Sequence, residues 1–196
     1  MDGESYKAIV IGGSAGSMDV LLLLFSYLPE TFCLPIIIVN HLHPLDDGDL
    51  VRFFSQHTSL TVKEASDKEQ IQAGYIYFPP ANYHLLVEPD AMFSLSVDSK
   101  VNYSRPSIDV LFESAAVTWD GDLIGILLSG ANSDGAAGIS AIKKYGGLTL
   151  AQDPSEAAYP VMPQAAIATG NVDEVLSTHE IGQFLQRLSK TAQIKR

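Results

Sequence analysis

Residues 7–25 read KAIVIGGSAGSMDVLLLLF, and this stretch decides the fold. Ala8, Ile9, Val10 and Ile11 form a short apolar run rich in β-branched residues, the signature of a parallel strand buried on both faces. Gly12 and Gly13 end that strand. Met18 to Phe25 then has the length and composition of a helix. Glycines on either side of Ser14 let the backbone turn where a Cβ would forbid it. Residues 12–16 therefore spell Gly-x-Ser-x-Gly, the spacing of a nucleophile elbow, in which a hydroxyl is pushed out beyond the carboxyl end of a strand. The same turn also suits a nucleotide-binding loop or a plain tight turn. A P-loop needs Gly-Lys-Ser/Thr, and no lysine follows Gly16 until Lys63. A dinucleotide fingerprint needs an acidic residue after the second strand, and here that strand ends in Val39-Asn40-His41.

Working outward, Ile36–Val39 reads as a second buried strand that delivers Asn40 and His41. The acidic cluster 46–49 starts a helix running to about His57, and Leu60–Ala65 reads as a third strand. Gly74–Pro79, Tyr83–Glu88 and Met92–Val97 look like short strands of an antiparallel hairpin region. Pro106 suits the first turn of a helix. In that helix Ile108, Leu111, Phe112, Ala115, Ala116 and Trp119 fall at amphipathic spacing. Leu123–Leu128 is another buried strand, followed by a polar turn, Ser129–Gly135, and a helix closed by Gly146-Gly147. Leu148–Ala151 is a strand, Pro163–Thr169 a short helix, Val172–Leu176 a last strand and Ile181–Leu188 a terminal helix. Such alternation predicts an α/β fold: a three-layer, doubly wound, mostly parallel sheet with helices on both faces and an antiparallel hairpin. Ligands of such sheets bind at the carboxyl ends of the strands.

The chain has 196 residues, a length that suits a single domain over 1–196. Its 46% hydrophobic and 18% charged residues indicate a folded protein. A net charge of −11 argues against nucleic acid or an anionic membrane surface as partner. No apolar run approaches the length of a membrane span. The N-terminus lacks the basic start of a signal peptide, so a cytoplasmic location is expected. Cys33 is the only cysteine, so no internal disulfide forms.

Ser14, His41 and Asp134 each sit just past the carboxyl end of a separate expected strand. Together they supply what acyl transfer needs: a hydroxyl, an imidazole to take its proton, and a carboxylate to hold the imidazole. Each also has a plain structural reading: Ser14 and Asp134 as helix caps, His41 as a hydrogen-bonded structural histidine. The order serine, histidine, aspartate differs from that of an α/β-hydrolase.

These residues sit in seven blocks, in matching order, that together resemble the catalytic domain of the CheB type of chemotaxis protein-glutamate methylesterase. The blocks are Ile11–Gly16, Val39–Pro44, Gly74–Pro80 with His84-Leu85, Arg105–Phe112, Leu127–Gly130 with Asp134–Gly138, Ala151–Asp153 and Met162–Ala166. The resemblance is nearly full length and implies a triad of Ser14, His41 and Asp134. It also implies an oxyanion hole made by the backbone amides of Ala15 and Ala131. It implies hydrolysis of γ-glutamyl methyl esters, and deamidation of glutamines, on the cytoplasmic helices of chemoreceptors, with no cofactor or metal. His43 and His84 are candidates to line the pocket. Arg105 is a candidate substrate-binding residue or a structural one.

The chain departs from the family pattern at Ala15, where threonine is usual, at Ser17, and at Ala131-Asn132-Ser133 in a turn that usually reads Met-Gly-x. The altered turn leaves open a receptor-binding or scaffold module with impaired turnover. Family members commonly carry a receiver domain, and this chain starts at the catalytic strand. It is therefore expected to stand alone and to be constitutive or regulated through a separate response-regulator or signalling protein.

Overall fold

Strand β1 (Ala8–Gly13) lies at the centre of the sheet and is buried along its whole length. The computed structural model describes residues 6–41 and 48–194. After β1 come helix α1 (Ser17–Ser26), strand β2 (Ile36–Asn40), helix α2 (Asp49–Ser55), and strands β3 (Thr61–Glu64), β4 (Tyr75–Phe78), β5 (His84–Val87) and β6 (Phe93–Ser96). Helix α3 (Ile108–Trp119), strand β7 (Leu123–Leu127), helix α4 (Ala136–Lys144), strand β8 (Leu148–Gln152), helix α5 (Val161–Ala168), strand β9 (Glu174–Leu176) and helix α6 (Thr178–Ile194) complete the order.

The main sheet runs β3-β4-β2-β1-β7-β8-β9, and every pairing in it is parallel. Its two faces bury two separate sets of side chains, as alternation along a strand requires. Ala8 and Val10 face α3, α4, α5 and the β5–β6 hairpin. Ile9 and Ile11 face α1, α2 and α6. The three-layer, mostly parallel architecture with one antiparallel hairpin is therefore as the sequence implied.

Two local expectations need correction. Strand β4 does not belong to the hairpin region; it is inserted in parallel between β3 and β2, with Ile76, Tyr77 and Phe78 buried. The crossover from β3 to β4 contains no helix. It pairs instead with the hairpin, through Lys68 N to Phe93 O at 2.9 Å and Ile71 N to Ala91 O at 3.0 Å. Pro106 also lies outside α3. Ser107 precedes the helix in extended conformation, and the Arg105–Pro106 peptide is cis.

After β1 the chain moves to β2 on one side, and it later returns to β7 on the other. The strand order thus reverses around β1, and a crevice opens beyond the carboxyl ends there. Gly12 makes this edge possible. A Cβ at Gly12 would fall 2.4 Å from Ile108 Cγ2 and 2.8 Å from Leu127 Cδ1, so only glycine lets the start of α3 lie against the strand.

Candidate active site

Register brings Ser14 and His41 together. Gly13 pairs with Asn40, and the His41 amide donates to Gly13 O at 3.2 Å, so both side chains start one residue beyond the same rung. On the other side, Ser14 N donates to Ser129 O at 2.9 Å, which attaches the turn after β1 to the turn after β7. Gly16 closes the serine turn with φ +77, a left-handed conformation that costs a glycine little. The Ser17 hydroxyl donates to Ser14 O at 2.6 Å and lies 3.1 Å from Asn40 Oδ1. The residue that departs from the family pattern here thus ties the two turns from below.

Ser129 acts as a latch for a third turn. Its hydroxyl donates to Ala15 O at 2.8 Å and accepts from Tyr159 N at 2.9 Å. Its amide donates to Gln152 Oε1 at 2.9 Å. The turns after β1, β7 and β8 are therefore held as one rim.

His41 Nε2 donates to Asp134 Oδ2 at 2.8 Å, with Asp134 fully buried. The same oxygen accepts from Ile108 N at 2.7 Å. Asp134 Oδ1 accepts from Ser107 Oγ at 2.8 Å, Asn102 Nδ2 at 3.0 Å and Asp109 N at 3.2 Å. Asp134 does not cap its own helix: α4 starts after Gly135 with no side-chain cap. It instead accepts from the opening amides of α3, where the helix dipole favours an anion. Burial alone would raise the Asp134 pKa, but the hydrogen bonds from His41, Asn102, Ile108 and Ser107 outweigh it and hold the group at about 2. Asp134 is thus a carboxylate at neutral pH, and it fixes the imidazole with the proton on Nε2. The bare lone pair is on Nδ1.

The Ser14 hydroxyl makes no hydrogen bond to that nitrogen. Asn132 lies there instead, with its Nδ2 3.5 Å from His41 Nδ1, while its Oδ1 accepts from Asp134 N at 3.1 Å. Catalytic hydrogen bonds are commonly long before substrate binds. The amides of Ala15 and Ala131 donate to no acceptor among the described residues, which leaves both free for a ligand oxygen.

The other candidates fall elsewhere. His43 lies outside the described residues. His84 is buried, accepts from Ser107 N at 3.2 Å through Nδ1, and donates to Ser99 O at 3.1 Å through Nε2. It supports the floor beneath Asp134 and does not line the cleft. Arg105 directs its guanidinium to Asn82 Oδ1 at 2.9 and 3.2 Å, Val97 O at 2.6 Å and Asp98 O at 2.9 Å, so it pins the chain leaving β6. The residues that sequence reasoning missed are Asn102, Ser107 and Asp109. One signal for Asp109 was available: it precedes Phe112 by three and Ala116 by seven, which puts a carboxylate on the apolar face of α3.

Comparison with known proteins gives a consistent result. The family model described as CheB methylesterase matches residues 9–185. A Leptospira interrogans protein named as a protein-glutamate methylesterase/protein-glutamine glutaminase is 46% identical over 186 residues, 95% of this chain and 96% of that one. A Thermotoga maritima protein of the same name is 33% identical over 94% of this chain, which spans 54% of that longer protein. The crystal structure of the T. maritima CheB methylesterase catalytic domain superposes with a TM-score of 0.89 at 33% identity, covering 94% of this chain and 99% of that one. Among the described residues no helix is long and apolar enough to cross a membrane.

Proposed function

The chain belongs to the CheB methylesterase family, and we propose that it is a cytoplasmic serine hydrolase that removes methyl groups from γ-glutamyl methyl esters on chemoreceptor helices. The observation that carries this reading is the His41–Asp134 pair at 2.8 Å, its carboxylate fully buried, set at the rim where Ser14 emerges. In this mechanism Ser14 Oγ attacks the ester carbonyl while His41 Nδ1 takes its proton. Asp134 stays ionised and steadies the imidazolium through Nε2. The negative charge that develops on the carbonyl oxygen is met by the Ala15 and Ala131 amides. The imidazolium returns its proton to the departing methoxide, giving methanol. Water, activated by the same imidazole, then cleaves the acyl-enzyme and leaves glutamate. A glutamine side chain undergoes the same attack with ammonia as leaving group, in keeping with the double name of the relatives.

Asn132 favours one other reading. Its amide lies against the nitrogen that must accept the serine proton, as in a receptor-binding module that has lost turnover. One experiment separates the two. Methanol release from methylated receptor is measured for the wild type and for Ser14→Ala. Release by the wild type alone supports the hydrolase, and equal inertness of both proteins refutes it.

A further inference from the structure

Two carboxylates lie together beneath the rim, and the mechanism above uses only one. Asp134 is 0% exposed and Asp109 is 6% exposed. Each is anchored on a different helix. Asp134 accepts from the α3 amides Ile108 N and Asp109 N. Asp109 Oδ1 accepts from Gly135 N at 2.9 Å and Gly138 N at 2.7 Å, at the start of α4. Among the described residues one group is common to both. Asn102 Nδ2 donates to Asp109 Oδ2 at 2.7 Å and to Asp134 Oδ1 at 3.0 Å. Both acceptors are carboxylates, so the NH2 end of the amide must face them. Asn102 holds this place from an exposed turn at φ +50, followed by Tyr103 at φ +63 and 97% exposed.

The geometry points to Asn102 as a positioning residue: by giving one hydrogen to each carboxylate it lets the two sit side by side, so that Asp134 keeps the charge that orients His41. This rests on the assignment of Ser14, His41 and Asp134 as the triad. Like charges this close otherwise share a proton. The other titratable groups facing the pair are His41, from the end of β2, and His84, from β5, which reaches it through Ser107. Among the described residues no lysine or arginine bonds to either carboxylate; Arg105 is engaged at Asn82, Val97 and Asp98. The division of labour within the pair is consistent with this role. Burial, with the Asp134 charge added, pushes Asp109 up to about 6, while its donors hold Asp134 at about 2. The first proton therefore settles on Asp109.

Asp134 and Asp109 titrate as one cluster. Removing the Asn102 amide takes away a donor to two anions and raises the proton affinity of the whole cluster. Removing the Asp109 charge lowers it. The test is the pH dependence of kcat/KM for methanol release. Asn102→Gly keeps the left-handed turn and deletes the amide. Its acidic limb should move up by about one pH unit. Adding Asp109→Asn in the same chain should bring the limb back to the wild-type position or below. An unmoved limb, an equal loss at every pH, or a double variant that keeps the raised limb overturns the inference. In the wild type itself, carboxyl carbon NMR should show Asp109 taking a proton before Asp134. The reverse order overturns the inference even if the variants do not fold. Failure of the triad itself is distinguishable, because Ser14→Ala would then turn over like the wild type.

Discussion

Asp134→Asn is the substitution that asks most of the site. The carboxylate accepts five donors, two on Oδ2 and three on Oδ1. An amide can present only one oxygen, so its NH2 must face donors. On the Oδ1 side it would meet Asn102 Nδ2 and the Asp109 amide, neither of which can become an acceptor. On the Oδ2 side it meets Ile108 N and His41 Nε2, and the imidazole can switch to accepting. The NH2 therefore turns towards His41, the ring proton moves to Nδ1, and that nitrogen loses the lone pair that takes the serine proton in the proposed mechanism. Loss of the correct tautomer is worth about 10⁴ in kcat, or about 5.4 kcal/mol of barrier. The unpaired Ile108 N–H adds about 1–3 kcal/mol of lost folding stability. Methanol release and urea unfolding measure the two effects separately, and imidazole nitrogen NMR should show the proton leaving Nε2. A variant that keeps kcat within tenfold of the wild type would refute the reasoning.

Other outcomes follow from the same geometry. Gly138→Ala would place a Cβ 2.4 Å from Phe112 Cβ, where α4 packs on α3; it should cost about 1–3 kcal/mol in urea unfolding, and an unchanged midpoint contradicts that packing. Ala131→Pro removes one of the two amides assigned to the oxyanion, and kcat should fall by about 10²–10³ with KM little altered; a change confined to KM would place the oxyanion elsewhere. Asn132→Gly frees His41 Nδ1 from a contact at the weak limit of a hydrogen bond. It should raise kcat by about two- to fivefold, in keeping with about 1 kcal/mol or less for such a bond. A fall in kcat would instead give Asn132 a supporting role.

The elements that carry Ser14, His41 and Asp134 were legible because each is a buried parallel strand ending in a polar turn, a pattern local to about ten residues. Strand β4 was misplaced because its crossover from β3 is an irregular segment that packs on the hairpin, with no helical periodicity to announce a parallel return. Asp134 read equally well as a cap for the helix that follows it, and only the fold shows that it serves a different helix. Asn102 carried no signal at all. Its role depends on a left-handed turn that brings its amide between two aspartates seven and thirty-two positions away. Arg105 looked available for substrate because sequence does not show how many carbonyl groups a guanidinium already serves.

The two aspartates exchange helix starts, each accepting amides of the helix that the other belongs to or adjoins. Neither α3 nor α4 can fray at its first turn without exposing an anion that holds the other. In deuterated water the amide protons of Ile108, Gly135 and Gly138 should therefore be released together, in one opening event with a single free energy. The same cross-tie gives the acid a duty independent of turnover. A descendant that abandoned hydrolysis could lose its serine at little structural cost, whereas replacing Asp134 would loosen the start of α3.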